Sequence, residues 1–355
     1  MKTLTKKERV MRTINFQETD RVPMYDLVNN DNIREYYGGG RINEKNAWEY
    51  VYTTIRELLD MTRAIFPPNF TPSRYTDEDG FVYYFDKYTM WIEKHPFDDT
   101  EGLIKWIHKD IDKKKKWNPD KAYVEQYRDM VLKHKKGIGD DTVIVIESDV
   151  GFDYARRMAG IELFSYLTID EPELISEWLE VLNECEIRRA KAIADPELVP
   201  VVLTFTDLAY KNGPIFSVNY YKKEFMPRLK KLNDTYHNAG VKCLFHSDGN
   251  IMPLLDDLIE AGIDGINPIE VAAGMSVKEV REKYGNKIFI TGGIDVSQLM
   301  PFGTPEEVAE ACRQAIDDTN GLGYFLGSTT ELIPDIPYEN ILAMKKVAEE
   351  YYPHR

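Results

Sequence analysis

Cysteine is scarce in this chain of 355 residues, which has only Cys185, Cys243 and Cys312. Three widely separated cysteines do not suggest a disulfide framework, and a reducing compartment, the cytoplasm, is predicted. Basic residues are outnumbered, 45 against 60 acidic ones, and the formal net charge is -15. Since nucleic-acid binding depends on lysine and arginine at phosphates, we predict no nucleic-acid partner.

Long apolar runs are also missing, and none approaches the ~20 residues that a membrane-spanning helix needs. The first ten residues, MKTLTKKERV, lack the apolar segment of a secretory signal. No stretch is rich in glycine and serine, which predicts one domain over residues 1–355 without a linker. The motifs G-x-x-x-x-G-K-[ST], G-x-G-x-x-G and G-x-S-x-G do not occur, so P-loop, dinucleotide-binding and serine-hydrolase chemistry is not expected.

Short apolar runs alternate with amphipathic segments along most of the chain. These runs predict strands covered on both faces. They lie at 21–28, 142–148, 199–205, 241–247, 264–269, 287–293 and 323–328, with 62–66 as an eighth. Alternating strands and helices predict a parallel sheet, best arranged as a (β/α)8 barrel, with a doubly wound open sheet as the alternative.

Two local patterns add detail to this architecture. Residues 79–97, DGFVYYFDKYTMWIEKHPF, predict a β-hairpin inserted in the N-terminal part of the barrel, either as a flap over its mouth or as a surface cap. The sequence Thr304-Pro305-Glu306-Glu307 has the hydroxyl, proline and glutamate of a capping box and predicts the start of a helix.

Polar side chains follow the predicted strands at their C-terminal ends, which meet at one mouth in a parallel barrel. They include Glu147, Asp207, Tyr210, His246, Asp248, Glu270, Thr291, Thr330 and Glu331. Each alone is compatible with an ordinary loop carboxylate or helix cap. Carboxylates brought close together repel one another unless a cation or base neutralises them.

A divalent metal satisfies that requirement, and the sequence predicts a Zn²⁺ site. His246 is the predicted nitrogen ligand, and the predicted oxygen ligands are Asp248, Glu270 and Glu331. Cys243 precedes His246 by three residues, so the two side chains point to opposite faces of a strand. We therefore predict that Cys243 is a packed core thiol.

Several segments taken together resemble the uroporphyrinogen decarboxylase superfamily. They are ERVMRTINFQETDRVPMY, HSDGNIMPLLDDLIEAGIDGINPIE, GGID followed by GTPEEV, and PDIPYENI. The likeness runs from about residue 8 to residue 351. It implies a (β/α)8 barrel, in agreement with the strand pattern.

Two features separate the chain from true uroporphyrinogen decarboxylases. Those enzymes carry an arginine-rich R-Q-A-G-R segment after the first strand, where this chain reads MYDLVNNDNIREYY with Arg34 as its one basic residue. They also carry a histidine in a G-H-G-like turn near the last strand, where this chain reads GSTTELIP. Both differences argue against a substrate with many carboxylates.

The other branch of the superfamily holds zinc-dependent methyltransferases that work with corrinoid proteins. Its coenzyme M methyltransferases bind zinc through H-x-C after the fifth strand and through a later cysteine. The resemblance places His246 and Asp248 at the first motif, and Thr330 or Glu331 at the second. Oxygen and nitrogen ligands make zinc more Lewis acidic, which suits the ether oxygen of a methoxylated aromatic substrate.

This resemblance implies transfer of the substrate methyl group to Co(I) of a corrinoid, an O-demethylation. Asp207, Tyr210 and Glu147 would then orient the substrate or deliver a proton to the departing oxygen. A corrinoid-binding D-x-H-x-x-G loop is absent, because Leu244 stands two residues before His246, so the corrinoid is expected on a separate protein.

Two alternatives remain open at this stage. One is a decarboxylase of the tetrapyrrole type, in which Asp207 stabilises a protonated pyrrole. The other is a non-catalytic member that binds a small molecule or a corrinoid protein. The sequence is compatible with a homodimer and does not specify the quaternary state.

Overall fold

The computed structural model describes residues 3–353 of the chain. Its strands are β1 (Tyr25–Asp26), β2 (Met61–Arg63), β3 (Ser73–Thr76), β4 (Val82–Phe85), β5 (Met90–Lys94), β6 (Val143–Asp149), β7 (Val201–Phe205), β8 (Ala209–Tyr210), β9 (Gly213–Pro214), β10 (Lys242–His246), β11 (Gly265–Asn267), β12 (Phe289–Thr291) and β13 (Tyr324–Phe325).

The α-helices are α1 (Lys6–Ile14), α2 (Asp31–Gly38), α3 (Ala47–Leu58), α4 (Thr100–Lys116), α5 (Lys121–Ile138), α6 (Phe152–Ala159), α7 (Ile161–Asp170), α8 (Pro172–Ile193), α9 (Val218–Glu224), α10 (Met226–Asn238), α11 (Leu255–Glu260), α12 (Val277–Tyr284), α13 (Leu299–Phe302), α14 (Pro305–Thr319) and α15 (Tyr338–Glu350). There are also two 3₁₀ turns: Met252–Leu254 comes directly before α11, and Val271–Ala273 lies between β11 and α12. None of the helices between residues 3 and 353 is both long and apolar enough to cross a membrane.

Eight parallel strands form the barrel, in the order β1-β2-β6-β7-β10-β11-β12-β13. A parallel bridge between Met24 and Leu326 joins the first strand to the last, and Tyr25 N–H donates to Leu326 O at 3.1 Å. Each predicted strand overlaps one strand of this barrel, so the (β/α)8 prediction is confirmed.

The inside of the barrel is filled by side chains that alternate along the strands. Val143 and Val145 on β6 point inward, as do Val201 and Leu203 on β7 and Leu244 on β10. The helix α1 closes the N-terminal end, where Val10 and Ile14 pack against these residues. Because side chains alternate with a period of two, residues two positions beyond this layer face inward at the opposite end, which is the mouth.

A small antiparallel sheet lies between β2 and β6 in the chain. Its strands β4 and β5 fall within the predicted hairpin, and β3 adds a third strand that the sequence pattern did not indicate. Arg34 joins this sheet to the barrel, because its guanidinium donates to Tyr88 Oη at 2.9 Å and to Val28 O at 2.5 Å. Arg34 is only 2% exposed, and its hydrogen bonds hold the small sheet against the barrel.

Asp26 closes the barrel on the mouth side. Its carboxylate accepts from the Ser328 backbone N–H and hydroxyl, both at 2.8 Å, and from Leu27 N–H at 2.9 Å. The side chain is 3% exposed, and this burial raises the pKa of Asp26 to about 7 although the three donors favour the charged form.

This shift predicts a pH dependence of stability. Between pH 4 and about 7 the folded protein keeps the Asp26 proton that the unfolded chain has lost, so rising pH destabilises the fold in that window. One pKa unit corresponds to at most about 1.4 kcal/mol. We expect Asp26→Asn to remove this slope, measured as the difference in urea unfolding free energy between wild type and variant from pH 4.5 to 8. A difference that is constant with pH would contradict the assignment.

Candidate functional site

His246 ends β10 and is the central residue of the site. Leu244 points into the barrel, so His246, two residues later, also faces inward and lies at the mouth with 7% of its surface exposed. Its neighbour across the parallel ladder is Asn267 on β11. The imidazole Nδ1 lies 2.8 Å from Asn267 Oδ1.

The orientation of the Asn267 amide determines which imidazole nitrogen carries the proton. Asn267 Nδ2 donates to Thr291 Oγ1 at 2.7 Å, and the Thr291 hydroxyl donates to Ile266 O at 3.2 Å. With its NH2 group held by Thr291, Asn267 presents its carbonyl oxygen to His246. We infer that Nδ1 carries the proton and that Nε2 presents a lone pair to the mouth.

Two carboxylates face this lone pair. His246 Nε2 lies 3.8 Å from Asp207 Oδ1 and 3.9 Å from Asp248 Oδ1, and one ligand atom of each residue lies within 4.8 Å of the other two. We call Asp207, His246 and Asp248 the acid–imidazole cluster. The separations are close to those of atoms that share one Zn²⁺ at ~2.0–2.2 Å, so the donors fit a divalent cation after a small contraction.

Hydrogen bonds hold both carboxylates in place. Asp248 N–H donates to Asp207 Oδ1 at 3.1 Å, which joins the loop after β7 to the loop after β10. The Thr330 hydroxyl donates to Asp248 Oδ1 at 2.5 Å. Arg156 Nη1 donates to the Asp207 backbone carbonyl at 2.6 Å and fixes the start of that loop.

Glu270 supports the loop that carries Asp248. Its Oε2 accepts from Gly249 N–H at 2.5 Å. Gly249 has φ +85°, and a Cβ there would lie 2.5 Å from the Ala209 carbonyl oxygen, so only glycine fits. Glu270 therefore acts on the cluster through the backbone of this loop.

A second polar group lies beside the cluster. Arg63 ends β2, and its Nη1 lies 3.4 Å from Glu147 Oε1, which is the end of an exposed side chain. Asn29 Nδ2 donates to Glu331 Oε2 at 2.8 Å. Burial raises the pKa of the Glu331 carboxyl, and both Arg63 and His246 oppose that effect.

The predicted site residues thus divide into three sets. Asp207, His246 and Asp248 come together. His246 and Asp248 are predicted metal ligands, whereas Asp207 is a predicted catalytic residue. Glu270 and Glu331, predicted as metal ligands, are not part of the cluster and have other partners. The remaining two predicted catalytic residues, Glu147 and Tyr210, lie on the rim, and Tyr210 is 61% exposed.

Sequence reasoning missed Asn267 and Arg63. Asn267 stands at the end of a predicted strand, and the register with His246 would have indicated its role. Arg63 lies near the start of the predicted strand 62–66, whereas β2 in the structure ends at Arg63, so the predicted C-terminal end did not include it.

A second group of metal-ligand types lies at the opposite end of β10. Asp264 accepts from His237 Nε2, Lys242 Nζ and Cys243 N–H at 2.7–2.8 Å, so its oxygens are already paired. Cys243 is fully buried, and this burial raises the pKa of its thiol well above the usual range. The prediction of a packed core thiol is confirmed, and this group is a structural one.

Comparison with known proteins gives a family and a set of relatives. The family model described as uroporphyrinogen decarboxylase (URO-D) matches residues 103–351. Methylcobamide:CoM methyltransferase MtbA from Methanosarcina acetivorans is 21% identical over 359 residues, and MtbA from Methanosarcina mazei is 22% identical over 360 residues. Both alignments cover 99% of this chain and 99% of the relative.

A solved structure described as a methyltransferase from Methanosarcina mazei has the same fold. It superposes with a TM-score of 0.71 at 16% identity and covers 98% of this chain and 99% of its own.

The hydrogen bonds that join Thr291, Asn267 and His246 lead to a prediction about the His246 tautomer. Replacing Asn267 by leucine removes the acceptor at Nδ1, so neutral His246 should populate both tautomers, and affinity for Zn²⁺ should fall about 10–100-fold. Long-range ¹⁵N–¹H NMR of the imidazole and a competitive zinc titration measure these effects. Asn267→Asp, which keeps an acceptor, is the matched control. An unchanged tautomer and an unchanged zinc affinity in Asn267→Leu would refute the role of Asn267 in fixing the imidazole.

Proposed function

Because the chain belongs to the uroporphyrinogen decarboxylase family, we propose that it works as a methyltransferase of that family. In this proposal a methyl group passes from a small methylated substrate to the Co(I) corrinoid of a separate protein. The observation that carries the proposal is the acid–imidazole cluster at the barrel mouth, where two carboxylates and one imidazole lone pair converge. The full-length relatives named methylcobamide:CoM methyltransferases support the same reaction class.

Zn²⁺ is the proposed metal, with Asp207, His246 and Asp248 as its ligands. The fit rests on the donor set, because one imidazole nitrogen and two carboxylates are ligands that zinc accepts. When bound there, the cation would act as a Lewis acid on the heteroatom that carries the methyl group.

The protein's own residues prepare this position. Asn267 and Thr291 keep the His246 lone pair directed at the mouth. Glu270 and Gly249 hold the loop of Asp248, so that binding requires little rearrangement. Tyr210, an exposed residue of the rim, would orient the substrate in this proposal.

The proposed methyl donor is a methoxylated aromatic compound. The reason is the oxygen and nitrogen donor set, which suits an ether oxygen better than a thiol. The aromatic side chains of the small sheet supply no further support, because Tyr84 packs against Trp91 at 4.7 Å and under Arg74 at 4.8 Å.

A tetrapyrrole decarboxylase fits this chain less well. Arg34, the one basic residue of the segment that carries arginines in true decarboxylases, is buried and bonded to Val28 O and Phe66 O. It is not free to hold substrate carboxylates.

Metal analysis and a methyl-transfer assay test the proposal. We expect about one zinc per wild-type chain and conversion of cob(I)alamin on a corrinoid protein to methylcob(III)alamin, followed by absorbance, with methoxybenzenes as donors. His246→Ala should lose zinc and activity together, because it removes the only nitrogen donor of the cluster. His108→Ala, an exposed histidine on α4, is the matched control. Full zinc content and full activity in His246→Ala would disprove the proposal.

A further inference from the structure

The guanidinium of Arg63 is buried at the mouth with few partners. Arg63 is 8% exposed, and its contacts with Glu147 Oε1 and Thr330 O are both long, at 3.4 Å. Its Nε has no hydrogen-bond partner among the described residues. Buried polar groups are nearly always hydrogen-bonded, so an arginine with two long contacts keeps donors that a further acceptor could use.

Asn29 is a second buried polar residue with an unpaired side-chain atom. Asn29 is 3% exposed, its Nδ2 donates to Glu331, and its Oδ1 has no partner in the described part of the chain. Glu331 interacts electrostatically with Arg63. Arg63, Asn29 and Glu331 therefore form one polar group, which we call the Arg63 pocket, near the ends of β1 and β2 and in the loop after β13.

Thr330 connects this pocket to the acid–imidazole cluster. Its carbonyl faces Arg63 Nη2, and its hydroxyl donates to Asp248 Oδ1. Thr330 has φ +123°, an unfavourable backbone conformation for a β-branched residue. Strain of this kind persists where surrounding contacts impose it, and it is concentrated at functional sites.

The ladder between β2 and β6 ends at Arg63, so β2 does not cover the edge of β6 beyond this point. β2 ends at Arg63, opposite Val145, whereas β6 continues to Asp149 without a partner on that side. The next residue, Ala64, has φ +48°, so the regular strand conformation of β2 stops there.

We propose that Arg63 binds a carboxylate of the substrate, so that this carboxylate and the methyl-bearing end contact opposite sides of the mouth. A guanidinium pairs with a carboxylate through two parallel hydrogen bonds, which its present partners do not supply. Glu147 is the group displaced, since its contact is long and its side chain is 40% exposed. The identity of the ligand as a substrate rests on the proposed function, whereas carboxylate binding does not.

Calorimetric titration with benzoate tests the binding directly. Arg63→Gln should weaken benzoate about tenfold to a hundredfold, the effect of losing a charged hydrogen-bonded pair. Arg63→Lys should be intermediate, because lysine keeps the charge and loses the paired geometry. Glu147→Gln should strengthen binding, because it removes the competing carboxylate. Arg74→Gln, an exposed arginine of the small sheet, is the matched control.

The outcomes separate Arg63 from the metal as the carboxylate site. Benzoate binding that persists in Arg63→Gln and disappears in His246→Ala would place the carboxylate on the metal and overturn the proposal. No binding to wild type, or unchanged binding in Glu147→Gln, would also overturn it. The Glu147 variant decides the question if Arg63→Gln does not fold.

A turnover experiment then connects binding to specificity. Wild type should prefer 4-methoxybenzoate to neutral 4-methoxybenzyl alcohol in kcat/KM, and Arg63→Gln should abolish this preference while keeping its zinc. Equal preference in both proteins would refute Arg63 as the selecting residue. Absence of methyl transfer from every donor would count against the proposed function and leave the benzoate result standing.

Discussion

The site depends on the in-register parallel pairing of β10, β11 and β12. Because His246 pairs with Asn267, and Ile266 with Ile290 just before Asn267 and Thr291, the three polar side chains lie side by side at one level of the barrel. That alignment allows the chain of hydrogen bonds that fixes the imidazole tautomer. A shift of one residue in β10 would turn His246 to the helix side, and the cluster would lose its nitrogen donor. The same shift in β11 or β12 would remove Asn267 or Thr291 from the chain of hydrogen bonds.

The loops after β7 and β10 supply two carboxylates, Asp207 and Asp248, which repel one another when both are charged. Asp207 and Asp248 come from different strands, and the bond from Asp248 N–H to Asp207 links the two loops directly. Leu208 N–H donates to Ser247 Oγ at 2.9 Å and links them a second time. The two carboxylates remain partly exposed and face the same imidazole nitrogen. Acidic groups brought this close together are expected where a protein has a function to perform.

The fold could be predicted because barrel strands covered on both faces are apolar runs, and because helix starts such as Thr304 follow local capping rules, here confirmed by both hydrogen bonds of the capping box. The break between α9 and α10 also has a local cause, because Pro227 cannot donate a helical hydrogen bond and a new helix starts there. His246 and Asp248 could be located by strand position alone. The partner of Glu270 could not, because it depends on the left-handed conformation of Gly249 and on a loop from another strand.

Closure of the barrel explains why the Arg63 pocket and the acid–imidazole cluster are neighbours. The last strand, β13, pairs beside β1, and the loop that follows it must cross the mouth to return to the outer helices. Thr330 lies on that crossing and contacts β2 through its carbonyl and the β10 loop through its hydroxyl. Thr330 thus has one contact to each side and joins the two groups. Two groups joined in this way are what an enzyme needs to hold a small molecule by one end and act on the other.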